Sequence, residues 1–297
     1  MSTLTANQHS PLPIPQSPLA ASMRTWWTML RISLEERLVY RGDFMLGTLM
    51  RFLPFVTQIF LWTAVFSAVS NPDIGGYTLQ DMIAYYLLVN VSRAFSSMPG
   101  LASGISRSIL DGTIKKYLIQ PVDMVGFLFI TRVAHKLVYY VVALIPFAAV
   151  FYLCRGYFEN GWPAPPILAA YFVSLAMTFV LGFFLEACIG MIGFWFLEVN
   201  SLLFVYMLLN FFLSGHMFPI GMLDGVLLPG GISLGAVVRI LPLQYLAYFP
   251  AAVFLGKITG MALVRGLIMQ LVWVVFFIFL ARWLFNRGVR RYSGFGG

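Results

Sequence analysis

Among the charged or titratable side chains that lie inside otherwise apolar stretches of this 297-residue sequence, four stand out, because ionisable groups are costly there. They are Arg51, Arg93, Glu186 and His216. Ionisable groups within a membrane seldom face lipid and often mark transport paths, so these four are candidates for lining a substrate path or gating it. For the two arginines a simpler role is open, because a long cationic side chain can reach the membrane interface and anchor its helix there.

Glu186 shares a helical face with two small residues. Gly182 precedes it by one helical turn and Gly190 follows it by one turn. Small residues let a neighbouring backbone approach closely, so this face predicts a helix–helix contact with Glu186 hydrogen-bonded across it. The alternative is a direct role in the substrate path, or a charge pair that changes between states.

The sequence lacks the motifs of common hydrolytic and metal chemistry. It contains no GxxxxGKS/T phosphate-binding loop, no HExxH and no GxSxG, and its 3 histidines and 2 cysteines are scattered. His216 follows Gly215 and has no nucleophile at motif spacing, so a structural or gating role is favoured over a catalytic one. We therefore predict no catalytic, cofactor-binding or metal-ligating residue in this chain.

The composition indicates the medium in which these residues act. Hydrophobic residues make up 60% of the chain and charged residues 10%, with a mean hydropathy of +0.85. Soluble domains have about 25% charged residues, so the chain is predicted to be an integral membrane protein. Its net charge of +8 comes from Lys and Arg at the ends of apolar runs. That distribution sets orientation in a bilayer and argues against a nucleic-acid partner.

Hydropathy and turn residues predict an all-α fold with six transmembrane helices. The predicted spans are residues 44–69, 79–98, 122–153, 166–194, 199–212 and 261–285. An amphipathic helix over 24–41 is expected to lie in the membrane interface ahead of them. Residues 1–22 are proline-rich and are expected to form a disordered cytoplasmic tail.

The stretch between the fifth and sixth spans is apolar, but prolines and glycines cut it into short pieces. Arginines cluster both before the first span and after the last, so both termini are predicted to be cytoplasmic and the number of crossings even. A broken, re-entrant helical hairpin on the outer side is therefore expected instead of a seventh span.

These features together resemble the permeases of type-2 ABC exporters, also called ABC-2 type. The local resemblance is carried by DGTIKKYLIQPVD, GFWFLE, LSGHMFPIGML, LPLQYLAYFPAAVFLGK and the closing YSGFGG. It covers residues 23–297, which would form one transmembrane permease domain. The phrases are similar to those of a bacterial subfamily that includes viologen-type exporters.

The resemblance implies an efflux role in the bacterial cytoplasmic (inner) membrane. Two cytosolic ATPase subunits would bind ATP and Mg, and a second permease, identical or a sister chain, would complete the transporter. The cargo would be hydrophobic or amphipathic and would move by alternating access, in contact with membrane lipids. The alternative is a secondary transporter or channel without ATPase partners, and an intramembrane enzyme is less favoured.

The basic segment 104–121, between the second and third spans, is the candidate for contact with the ATPase. Its candidate coupling residues are Arg107, Ile109, Leu110, Asp111, Lys115 and Lys116. Asp111 and Gly112 predict a bend between two short helices. Their apolar edge comprises Ile105, Ile109, Ile114 and Leu118. The segment is expected to seat this edge in a groove of the ATPase, or else to be only a positive-inside anchor. In the first case, replacing Ile109 and Leu110 by alanine would leave folding intact and weaken ATPase association.

Overall fold

The structure is a computed structural model that describes residues 18–39, 41–69, 73–119, 123–158, 161–196 and 199–292. Within these ranges the regular structure is helical, without strands. In chain order the helices are α1 (Pro18–Val39), α2 (Arg41–Ala68), α3 (Leu79–Ser96), α4 (Leu101–Leu110), α5 (Lys115–Ile119), α6 (Met124–Leu153), α7 (Pro165–Met191), α8 (Asn200–Leu213), α9 (Leu234–Ile240), α10 (Tyr248–Phe254) and α11 (Gly260–Arg291). Helix α1 begins at Pro18, inside the predicted tail, and residues 1–17 lie outside the described ranges.

Three of the described helices are long and apolar enough to cross a membrane. They are α6, the stretch Pro165–Phe194, in which a 3-10 turn extends α7, and α11. Two shorter apolar helices are Phe52–Ala68 and α8. At 1.5 Å per residue α8 is about 21 Å long, less than a hydrocarbon core of about 30 Å. The predicted total of six crossings therefore stays a prediction.

The two ends of the helix bundle differ in chemistry. At one end, the basic end, lie α4 and α5 together with the exposed Arg290 and Arg291 of the last turn of α11. At the other, the cap end, the segment 220–259 folds over the start of α3, where Lys257 Nζ lies 2.7 Å from Asp81 Oδ2. Each long helix therefore runs between a basic end and a covered end.

Local caps determine where α3 and α6 begin. Thr78 and Asp81 form a capping box at α3, in which each side chain accepts a hydrogen bond from the other residue's backbone N–H. Asp123 caps α6 by accepting from Gly126 N at 2.7 Å. The same carboxylate pairs with Arg282 of α11 at 2.5 Å, so the start of α6 is attached to the C-terminal third of α11.

Short helix α10 enters the bundle from the cap end, and all seven of its residues are buried. In the turn before it, the carbonyl of Tyr245 accepts a hydrogen bond of 2.7 Å from Thr178 Oγ1 of α7. Gln270 of α11 is 0% exposed and bonds to both Ser174 Oγ and Thr178 Oγ1. These polar groups satisfy one another where water is excluded, and they join α7, α11 and the α10 turn.

The glycine face of α7 is in contact with the backbone of α3 and α4. A Cβ atom at Gly182 would overlap the Ser96 carbonyl oxygen, and one at Gly190 would lie 2.7 Å from the Ala102 carbonyl oxygen. Neither carbonyl can move without moving its helix. The close helix–helix contact predicted from these glycines is therefore confirmed.

We expect Gly182→Ala to lower the free energy of unfolding by roughly 1–3 kcal/mol, because the added methyl group has no room beside a rigid carbonyl. Gly104→Ala, on the exposed side of α4, is the matched control, since a Cβ there meets nothing within 4 Å. That change should be neutral or stabilising by about 0.5–1 kcal/mol. Thermal unfolding of the purified protein in detergent measures both. Equal midpoints for the two variants would contradict the close packing.

Candidate coupling and transport site

Helix α3 ends inside the bundle, next to α6 and α7. Pro99 follows it and Gly100 has a φ of 73°, a left-handed conformation that suits glycine and turns the chain into α4. The last turn of any α-helix leaves carbonyl groups without partners in the helix. Donors for these carbonyls must therefore come from neighbouring segments.

Two cations of α6 supply those donors. Lys136 is 5% exposed, and its ammonium donates to the carbonyls of Ala94 and Ser97, the latter at 2.7 Å. Arg132 Nη1 donates to the Pro99 carbonyl at 3.0 Å. Positive charge at the C-terminal end of a helix also complements the helix dipole. The end of α3 is thus hydrogen-bonded to α6.

Glu186 of α7 contacts the segment that follows the end of α3. Its Oε1 accepts a hydrogen bond from Met98 N at 3.3 Å, and its carboxylate interacts electrostatically with Arg93, Arg132 and Lys136. The hydrogen bond across the glycine face, predicted from the sequence, is present. A part for Glu186 or Arg93 in the substrate path stays a prediction.

His216 lies in the turn after α8, where the chain meets α3. The hydroxyl groups of Tyr85 and Tyr86 donate to the carbonyls of Gly215 and Met217, on either side of it. Its ring lies 5.0 Å from that of Phe211, and Nδ1 is buried without a hydrogen-bond partner among the described residues. This apolar setting suits a structural or gating role. The side chain of Arg51, on α2, lies outside the described residues.

The basic segment forms two short helices with a bend, as the sequence predicts. Helix α4 ends at Leu110 and α5 begins at Lys115. Between them Gly112 has a φ of 74°, a conformation that a residue with a Cβ adopts with difficulty. The bend at Asp111 and Gly112 is therefore confirmed.

The predicted position of the apolar edge is wrong for three of its four residues. Ile105, Ile109 and Ile114 are 4%, 3% and 0% exposed and pack in a core that includes residues of α7. Gly190 on α7 and Gly193 just after it let α4 approach closely. The apolar side of α4 is therefore covered by other residues of the same chain. Because Ile109 is buried, we now expect Ile109→Ala with Leu110→Ala to open a cavity in this core and lower stability, so this pair does not isolate ATPase contact.

A different set of side chains points outward from the basic segment. Its exposed side chains include Arg107, Asp111, Lys115, Lys116, Leu118 and Ile119. Leu118 is 38% and Ile119 84% exposed, whereas Leu110 is only partly exposed. Sequence reasoning missed Ile119, although its place beside Leu118 at the end of the second short helix was a signal.

Two cavities accompany these elements, and the sequence indicates neither. One of about 270 Å³ lies between α4 and α6, beside Arg132 and His135. The other, of about 700 Å³, lies near the cap end between α6 and α7 and has a mostly apolar lining. None of the charged candidates for the substrate path lines the larger cavity.

Long apolar helices with buried polar contacts between them define a helical protein that spans a membrane several times. Residues 52–296 match the family described as ABC-2 family transporter protein. This match covers most of the chain, which therefore belongs to the ABC-2 transporter family and is a membrane permease component of ABC transport. The ABC-2 type prediction is confirmed, and the likeness to viologen-type exporters stays a prediction. No curated protein matches the chain significantly.

We expect Glu186→Gln to unfold at nearly the wild-type temperature, because its amide oxygen can still accept from Met98 N. Glu186→Leu should lose roughly 1–3 kcal/mol, since it leaves that buried N–H without an acceptor. Thermal unfolding in detergent tests the pair, and a leucine variant as stable as wild type would refute the assigned contact. A folded Glu186→Gln protein that no longer transports would show that the charge itself has a function.

Proposed function

We propose that this chain is the permease subunit of an ATP-driven exporter and that the α4–α5 segment is its contact with cytosolic ATPases. The observation that carries the proposal is the two-sided character of this segment. Its inner side is buried against the α7 side of the bundle, and its outer side presents Lys115, Lys116 and the 84%-exposed Ile119. Two short helices that are exposed on one side and packed against α7 on the other could transmit a movement of a bound ATPase to the bundle.

A displacement of α4 would be transmitted into the bundle through direct contacts with α7. Helix α4 touches α7 at Gly190, and the backbone just before α4 bonds to Glu186. One contact is between backbones and the other joins a backbone N–H to the Glu186 carboxylate, so a displacement of α4 would be passed to α7. ATP binding can then shift the permease between inward-open and outward-open states only by its different affinity for the two.

The proposed orientation places the basic end in the cytoplasm, with six crossings and both termini inside. Lys115, Lys116, Arg290 and Arg291 all lie at this end, in keeping with the excess of cations on cytoplasmic loops. Helix α8 would make the fifth crossing together with the turn that follows it. The α9–α10 segment would enter the membrane from outside and return, covered by α3 and α7.

A second permease, identical or a sister chain, would cover α8. This apolar helix has no buried residue in the described chain, and Phe204, Met207 and Phe212 on it are exposed. ATP and Mg would be bound by two ATPase subunits, which accords with the lack of a phosphate-binding loop here. The cargo class we propose is hydrophobic or amphipathic, and the membrane is the bacterial cytoplasmic membrane.

The coupling proposal predicts that Leu118→Ala with Ile119→Ala weakens ATPase association without affecting folding. Every charge stays in place, and up to roughly 2–4 kcal/mol of contact would be lost if both side chains are buried by the partner. The measurement is whether a co-expressed ABC ATPase co-purifies with the chain and shows cargo-stimulated ATP hydrolysis.

The matched control is Leu227→Ala with Ile240→Ala, one leucine and one isoleucine exposed at the cap end, 68% and 70% respectively. This pair should leave ATPase association unchanged. The anchor alternative would gain support if the Leu118/Ile119 variant coupled normally while neutral substitutions of Lys115 and Lys116 caused mis-insertion. Failure of any ATPase to associate with the wild-type chain would contradict the proposed function.

The proposed orientation is tested by labelling with a membrane-impermeant maleimide. Ile232→Cys, 57% exposed at the cap end, should react in intact cells, and Thr113→Cys, exposed in the bend of the basic segment, only after permeabilisation. The natural Cys154 and Cys188 are 8% and 5% exposed and should contribute little background. The reverse labelling pattern would overturn the orientation.

A further inference from the structure

The larger cavity is lined by none of the residues to which a role in coupling or transport has been assigned above. It lies between the cap-end halves of α6 and α7 and has a volume of about 700 Å³. Four helices contribute apolar or aromatic walls, represented by Leu88 of α3, Phe151 of α6, Tyr171 of α7 and Phe254 of α10. The Phe254 ring is 5.1 Å from that of Tyr171, so this wall is packed and preformed.

The depth of the cavity corresponds to one leaflet of a bilayer. Its lining on α6 extends from Leu144 to Tyr152, about 12 Å of helix at 1.5 Å per residue. Half of a hydrocarbon core of about 30 Å is about 15 Å. A chain that enters from the cap end therefore reaches the bottom of the cavity near the middle of the membrane.

The lining determines what can occupy this space. Leucine, phenylalanine and alanine side chains offer a water molecule few hydrogen-bond partners, so water does not fill the cavity well. An empty space of this size would forfeit the dispersion contacts of every side chain around it. An alkyl chain supplies those contacts without requiring hydrogen bonds. The volume of the cavity lies within the usual range of ligand pockets.

A cation and an aromatic residue stand at the mouth of the cavity. The Arg155 guanidinium is exposed, lies 4.6 Å over the Tyr152 ring, and pairs with no carboxylate among the described residues. Trp162 is 77% exposed and lies against Phe254. Tryptophan favours the headgroup level of a membrane, and an arginine there attracts a phosphate.

We propose that this cavity binds one acyl chain of an anionic glycerophospholipid, with the lipid phosphate held at Arg155. The lipid fills a gap between α6 and α7 near the cap end. Because α7 also carries the contacts to α4, a lipid bound here stabilises the helix through which the permease is proposed to change state. The binding site itself does not depend on the proposed ATPase coupling.

Native mass spectrometry of the full chain, purified in mild detergent, tests the site. Wild type should retain phospholipid, and Ala148→Trp, which places an indole in the cavity, should reduce the retained fraction roughly tenfold, the effect of about 1.4 kcal/mol. Ala149→Trp is the matched control, because this neighbouring alanine is exposed and does not line the cavity. The control should retain lipid as wild type does.

The headgroup contact is tested separately, by measuring the preference of the protein for phosphatidylglycerol over phosphatidylcholine in mixed vesicles. Arg155→Gln should lower the preference for phosphatidylglycerol about fivefold, the effect expected of one basic residue at a membrane surface. Arg265→Gln is the control, since Arg265 is also exposed near the cap end but does not line the cavity. An unchanged preference in Arg155→Gln overturns the phosphate contact.

Several results would overturn the proposal as a whole. One is full lipid retention by folded Ala148→Trp, and another is loss of permease–permease association in that variant, which would make the cavity an interface between copies. A third is loss of cargo transport with lipid retention unchanged, which would make it a cargo site. If Ala148→Trp does not fold, the site is tested in the wild-type protein by photolabelling with a phosphatidylglycerol that carries a photoreactive acyl chain. Labelling should concentrate on residues 144–155 and 168–172, and uniform labelling refutes the site.

Discussion

Carbonyl groups at the end of a helix need hydrogen-bond donors, and inside an apolar bundle those donors must come from the protein itself. Helix α3 ends under this constraint. Lys136 and Arg132 of α6 bond to the carbonyls, and Glu186 of α7 accepts from the N–H of Met98. Three segments that are distant in the sequence are thereby fixed to one another. The basic segment begins at this junction, so its position follows from these bonds.

The charges within the helices gain a specific meaning from this arrangement. A buried lysine is costly unless its ammonium is fully engaged, and the two carbonyls at Lys136 engage it. Glu186 adds an opposite charge near Arg93, Arg132 and Lys136, so the cluster is not a bare excess of positive charge. Glu186, a functional candidate in the sequence, therefore also satisfies a backbone N–H group.

Helix α7 is the common element of both ends. At the basic end Gly190 contacts α4, and near the cap end Thr178 bonds to the turn before α10 while Tyr171 lines the larger cavity. Gln270 joins the same stretch of α7 to α11. A displacement of α4 is therefore felt at the cap end through one continuous helix and the polar groups bonded to it. This continuity would provide a physical basis for the proposed coupling of an ATPase at one end to a rearrangement at the other.

The sequence by itself determined the features that depend on local chemistry. Apolar composition determined the membrane class, Asp111 and Gly112 determined the bend of the basic segment, and the missing side chains of Gly182 and Gly190 determined a close helix contact. The membrane class depends on composition alone, and the bend and the glycine face depend on residues a few positions apart, an arrangement that sequence periodicity reports directly.

Only the tertiary structure decided which surface covers which face. Periodicity shows that the basic segment is amphipathic, but not that α7 would cover Ile109 and leave Ile119 exposed. It likewise cannot show that Lys136 reaches the carbonyls of another helix, or that four helices leave an apolar cavity beside Arg155. These features depend on pairs of segments far apart in the chain. Their distances are fixed by how the whole bundle packs, and no short stretch of sequence contains that information.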